Sequence, residues 1–186
     1  MISGERELML TGIGGQGVQL AAEVIARAAT AEGKHVTYFG VYSGVMRGGN
    51  TDATVVVSDD PIEAPALVSH TWSAIAMHHE FWEPLRAKVR SDGVVFLNST
   101  VFEVDPALPD TVRVVEVPAT ERAAQLDNLM VASMVMVGAY ATTTGLVGVE
   151  ACIQAMRECI PPYRAQHLPA NEEAILAGAE MRAALT

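Results

Sequence analysis

Apolar residues along this chain fall into two rhythms, one of short buried runs and one of helical spacing. Residues 7–11 and 72–77 are short apolar runs of the kind buried inside a parallel sheet. Residues 36–39, 52–57, 94–97 and 112–117 are predicted as further strands, the last ended by Pro118. Between the first two strands, Val18, Ala21, Ala22, Ile25, Ala28 and Ala29 recur at helical spacing. They predict a helix over 17–31, with Glu23 and Arg27 four apart on its outer face and Gly33 as its stop. Further helices are predicted over 80–89, 130–144, 150–159 and 171–184. Gly93 is read as punctuation before the strand 94–97, and residues 105–110, with two prolines, as loop. Strand, helix and strand over the first 39 residues make a βαβ unit. The expected fold is a single α/β domain over 1–186, three α/β/α layers around a mostly parallel sheet, Rossmann-like in its N-terminal half.

Asp127 and Glu150 bracket 22 residues without a charge. That length raises the question of a membrane span. Ser133, Gly138, Thr142, Thr143, Thr144, Gly145 and Gly148 break the run, and nothing basic flanks it, so no span is expected. A helix over 130–144, apolar on most sides, instead suits burial between the sheet and a partner. Met130, Met134 and Met136 then fill core or interface.

Composition narrows the partners. Half of the residues are apolar and 18% are charged, as in a globular chain. Twelve Lys and Arg against 22 Asp and Glu give a formal net charge of −10, which repels nucleic acid and anionic membranes. Any phosphate must therefore be held locally. Glu5, Arg6 and Glu7 interrupt the apolar core that a signal peptide needs, so a cytoplasmic location is expected. Cys152 and Cys159 are too little sulfur for an iron–sulfur cluster and read as small buried hydrophobes.

The candidate chemistry begins at Gly12-Ile13-Gly14-Gly15-Gln16-Gly17, between the first strand and the first helix. Glycines there permit positive φ and close approach of a ligand to the backbone. The amides of the following helix favour an anion. The spacing fits G-x-G-x-x-G, although a corner needing small residues for packing would look the same. A dinucleotide fold would carry an acid at the end of the second strand. This chain has Phe39-Gly40, and Glu32 comes too early, which counts against NAD but not against another phosphate-bearing ligand. A second glycine-rich segment, 40–50, offers Ser43, Arg47, Gly48, Gly49 and Asn50. Arg47 between small residues can present a five-donor fork to a phosphate or carboxylate, or pair with a surface acid. Asn98 sits at a strand end, where open α/β sheets line their ligand crevice. His78-His79-Glu80 invites a metal or acid–base reading, but neighbours at a strand end point to opposite sides and suit a polar loop better. Asp59-Asp60-Pro61 reads as a solvated turn.

Taken in order, these pieces resemble the gamma subunit, or gamma domain, of the 2-oxoacid:acceptor (ferredoxin) oxidoreductases. The matching elements are Gly12 to Gly17 and Met46-Arg47-Gly48-Gly49 before a strand ending in Ser58-Asp59-Asp60-Pro61-Ile62. Further along come Gly93 to Ser99, Val117-Pro118-Ala119-Thr120, Asn128 leading into Met136-Val137-Gly138-Ala139, and Asn171 with Ala174 and Gly178. Members often place an acid before the Arg-Gly-Gly element, where this chain has Val45-Met46.

The resemblance implies a thiamine diphosphate enzyme that converts a 2-oxoacid and CoA to acyl-CoA and CO2, passing electrons through iron–sulfur clusters to ferredoxin or a similar acceptor. It implies alpha and beta subunits that hold thiamine diphosphate with Mg2+, and an iron–sulfur subunit. The gamma chain would be inactive alone and would help to recruit CoA through Gly12, Gly14, Gly15, Gln16, Gly17, Ser43, Arg47, Gly48, Gly49, Asn50 and Asn98. No catalytic or metal-binding residue is assigned to it. A free-standing NAD(P) or flavin module and a purely scaffolding subunit stay open beside this reading.

Overall fold

The computed structural model describes residues 4–42, 48–62 and 68–181. The chain runs β1 (Arg6–Ile13), α1 (Val18–Ala31), β2 (His35–Tyr42), β3 (Asn50–Ser58), β4 (Thr71–Ala76), α2 (Trp82–Arg86) and β5 (Val89–Asn98). It continues through β6 (Arg113–Val117), α3 (Ala119–Gln125), a 3-10 turn at Leu129–Val131, α4 (Ala132–Thr144), α5 (Val149–Cys159), a 3-10 turn at Pro162–His167 and α6 (Leu168–Glu180).

The strands form one mixed six-stranded sheet in the order β2-β3-β1-β4-β5-β6. β1, β4, β5 and β6 pair in parallel, while β3 lies antiparallel between β1 and β2. β2 therefore points the same way as β1, and β3 alone runs against the others. The sheet is mostly parallel, as expected, but β3 splits the predicted βαβ unit. The cause is the connection 43–49, shorter than the dozen or so residues a parallel crossover needs. The chain must turn straight back, and β3 takes the place beside β1.

Side chains on one sheet face, including Leu8, Leu10, Val55, Ile75, Phe96 and Val117, share a core with α1 and with α3 to α6. The other face carries a smaller cluster of Ala74, Ala76, Val95, Leu97, Trp82, Leu85, Phe102 and Val112. Among the described residues the outer layer there is α2 and the segment 99–112. The layers are thus unequal, one of stacked helices and one thin.

α4 is buried along Ala132–Ala141, on every side. The cover expected from a partner comes from this chain. A methyl group placed on Gly138 would run into Ile175 O of α6, and one on Gly178 into Val135 O of α4. Those two glycines let the helix backbones touch, and α6 closes the outer side. Met134 and Met136 are fully buried, whereas Met130 is 71% exposed.

Several predicted boundaries shift for identifiable reasons. Gly93 lies inside β5, where a side chain would meet Arg90 O and Trp72 O at 2.8 Å. It marks close backbone approach beside an irregular register at Thr71 and Ser73, not a stop. Val89 pairs with Thr71, which shortens the helix expected over 80–89 to Trp82–Arg86. α6 starts at Leu168 because Pro169 fits the first turn of a helix. No helix among the described residues is long and apolar enough to cross a membrane.

Candidate functional site

β1 leads into α1 on the thick face, and β4 leads into α2 on the thin face. The two chains part in opposite directions at the carboxyl ends of adjacent strands. In open α/β sheets that point is where ligands bind. The glycine corner stands on one side of it and Met77 to Phe81 on the other, joined by Met77 N donating to Thr11 O at 2.9 Å.

Each glycine in the corner answers a separate constraint. A side chain on Gly12 would fall 2.9 Å from Met77 Cβ and Val18 Cγ2 and 2.8 Å from Gln16 Oε1. Gly17 is the N-cap of α1 with φ 78°, left-handed, and its missing side chain would strike Ser133 Oγ. Gly15, φ 106°, faces open space. Gln16 braces the turn: its amide donates to Ile13 O at 3.0 Å, and its Oε1 accepts from Ile13 N at 2.8 Å. The 14-residue α1 that follows has no side-chain cap and no acid in its first turn. Among the described residues no side chain compensates its positive end or accepts from its first amides.

The two glycine-rich segments meet. Gly14 N donates to Gly49 O at 2.8 Å, and Asn50 pairs with Ile13 in the β1–β3 register. Gly12, Gly14, Gly15, Gln16, Gly17, Gly48, Gly49 and Asn50 therefore gather at the carboxyl end of β1. Ser43 and Arg47 lie outside the described residues. Asn50 Nδ2 donates to Asp52 Oδ2 at 2.7 Å, and Thr11 Oγ1 donates to Asp52 Oδ1, also at 2.7 Å.

Gln19 fixes the first turn of α1 to the sheet. Its Nε2 donates to Asp52 O at 2.6 Å and Val41 O at 3.3 Å, and Tyr38 OH donates to its Oε1 at 2.5 Å.

Asn98 sits two strands away and is fully buried. Its Nδ2 donates to Thr120 Oγ1 at 2.8 Å and Met77 O at 3.3 Å, while its Oδ1 accepts from Thr120 N at 3.2 Å. Thr100 Oγ1 accepts from Glu121 N at 3.1 Å. Together they cap α3, a helix that sequence patterning did not predict. The amide of Asn98 is spent on joining β4, β5 and α3.

Four residues at this edge escaped the sequence reading or were set aside by it. Gln19 and Ser133 act through contacts distant in sequence, which no local pattern reveals. Ser133 is 1% exposed, and its Oγ has no hydrogen-bond partner. His78 and His79 stack with ring centroids 4.4 Å apart. His79 Nδ1 lies 3.0 Å from Val101 O and must carry the proton, since a carbonyl only accepts. His78 Nδ1 accepts from Glu80 N at 3.1 Å. Burial, and next the charge of His79, lower the pKa of His78 below its ordinary value. Among the described residues no group of three or more His, Cys, Asp or Glu could hold a metal ion. Burial pushes the thiols of Cys152 and Cys159 up to about 12, so both stay protonated and act as hydrophobes.

Comparison with known proteins adds the lineage. Residues 7–181 match the family model for pyruvate ferredoxin/flavodoxin oxidoreductase. A 2-oxoglutarate synthase subunit KorC of Methanothermobacter thermautotrophicus is 32% identical over 169 residues, covering 87% of this chain and 88% of that one. The keto/oxoacid ferredoxin oxidoreductase gamma subunit of Geobacter sulfurreducens superposes with a TM-score of 0.81 at 25% identity, covering 96% of each chain. The 2-oxoglutarate:ferredoxin oxidoreductase of Magnetococcus marinus, solved with 2-oxoglutarate, coenzyme A and succinyl-CoA, superposes with a TM-score of 0.88 at 19% identity. It covers all of this chain and 32% of its own. Fold and sequence agree: the chain belongs to the pyruvate ferredoxin/flavodoxin oxidoreductase family, as a chain of the gamma-subunit type.

Proposed function

We propose that this chain recruits coenzyme A within a multi-subunit, thiamine diphosphate-dependent 2-oxoacid:acceptor oxidoreductase and helps to hold its catalytic subunits together. The observation that carries the reading is the Gly14 N to Gly49 O bond, which sets two glycine-rich segments beside the uncapped end of α1. Backbone amides there suit the phosphates of CoA, and Arg47, adjoining Gly48 in sequence, adds a guanidinium. The missing acid at Phe39-Gly40 favours CoA over NAD. The relatives that share this chain's length are named as subunits of 2-oxoacid-acting enzymes.

Catalysis falls to the partners. Thiamine diphosphate and Mg2+ would sit on alpha and beta subunits and the iron–sulfur clusters on a further subunit, with ferredoxin or a similar protein as acceptor. This chain's share is binding and orientation: amides fix the phosphate end of CoA, and its thiol is left free to reach the partner's site. Separate calorimetric titrations with CoA and NADH test the reading. CoA should bind and NADH should not, and Arg47→Ala should raise KM for CoA in the assembled enzyme. Tight NADH binding without CoA binding would overturn it. An unchanged KM, with assembly broken by glycine-to-alanine changes, would leave a scaffold.

A further inference from the structure

Ser133 is an expensive residue for the fold to keep. It sits in the first turn of α4, 1% exposed, and its hydroxyl has no hydrogen-bond partner. A buried hydroxyl in that state lowers stability, and alanine would fill nearly the same volume without the penalty. The oxygen is packed against Gly17, the N-cap of α1, in the space that a side chain on Gly17 would need. A serine hydroxyl beside a helix N-terminus ordinarily accepts from a first-turn amide. This one accepts from none, and among the described residues no side chain accepts from the first amides of α1. The open positive end of a 14-residue helix and an unused hydroxyl therefore share one place.

We propose that Ser133 is a ligand contact, its hydroxyl donating a hydrogen bond to a phosphate oxygen seated on the first amides of α1. The proposal rests on the reading of the glycine corner as a CoA site, and it names both the side chain that completes the corner and the part of the ligand that it touches. Phosphate oxygens only accept, so a pocket of amides plus one uncommitted hydroxyl matches them in kind.

The test is calorimetric titration of the full chain with CoA, with pyrophosphate, and with pantetheine, which has no phosphate. Wild type, Ser133→Ala and Ser133→Cys are compared, with ligand-free melting curves for each. Ser133→Ala should melt at or above the wild-type temperature and bind CoA and pyrophosphate about tenfold or more weakly. Its affinity for pantetheine should not change, and Ser133→Cys, a poor donor, should lose affinity in the same direction. Wild-type affinity for CoA in Ser133→Ala would overturn this proposal and leave the CoA reading standing. A lower melting temperature with equal losses for all three ligands would make Ser133 a structural residue and overturn it too. Failure of the wild type to bind CoA would remove the CoA reading and this proposal together.

Discussion

Replacing Gly17 by alanine separates the two demands that the corner makes on that position. At φ 78° an alanine must adopt left-handed backbone, costing roughly 1–2 kcal/mol. Its methyl would also land on Ser133 Oγ, and Ser133 Cβ at 3.1 Å leaves little room to retreat. Forcing a methyl into a packed site costs about 1–3 kcal/mol. The less flexible unfolded chain returns about 0.4–1 kcal/mol. The expected loss is therefore roughly 2–4 kcal/mol, or about 4–16 °C in Tm for a chain of this size. Gly33 supplies the control, since its φ is 80° but nothing lies within 4 Å of the added methyl. Gly33→Ala should cost the backbone share alone, about 1 kcal/mol after the same offset. Denaturant unfolding of both variants, with matching m values, gives the comparison. A loss for Gly17→Ala no greater than that for Gly33→Ala would refute the steric argument.

Three further outcomes follow from the packing and titration of named residues. Gly138→Ala and Gly178→Ala should each lose at least about 2 kcal/mol in thermal or chemical unfolding, because overpacking the α4–α6 crossing outweighs alanine's helix preference of about 1 kcal/mol. Asn98→Ala should cost roughly 1–3 kcal/mol by leaving Thr120 N and Met77 O without partners, with hydrogen exchange rising first in α3. The pKa of His78 is lowered in the fold, so the unfolded chain binds the extra proton. The stability that this lends is complete above the unfolded value near 6.5 and is lost as pH falls through the lower folded value. Melting curves at pH 7.5 and 5.5 should therefore differ less for His78→Asn than for wild type.

What could be seen in the sequence was what is encoded locally. The apolar runs of β1 and β4, the spacing of Val18 to Ala29 and the glycines at 12–17 each settle their own conformation, and the strand–corner–helix start of the fold follows from them. The direction of β3 was also within reach, because the connection 43–49 is too short for a parallel return. Other features depend on contacts across the chain. α3 has no strong pattern of its own, and its caps, Asn98 and Thr100, come from the end of β5. Asn98 satisfied a strand-end rule for ligand residues, yet its partners spend it on structure. Gly93 resembled a stop because its reason, the carbonyl of Trp72, is 21 residues away. Gly138 looked like an interruption in an apolar run, and with Gly178 it is where two helices touch. Ser133 carried no signal, since its meaning lies in Gly17.

The central claim is that backbone amides at the glycine corner hold the phosphate end of CoA. Amide chemical shifts of the isotope-labelled full chain during titration with CoA test it most directly. The largest shifts should fall on Gly14 to Leu20 and on Gly48 to Asn50, and pyrophosphate alone should reproduce the shifts at Gly15 to Leu20. Saturating CoA that moves other amides and leaves the first turn of α1 unchanged would contradict the account.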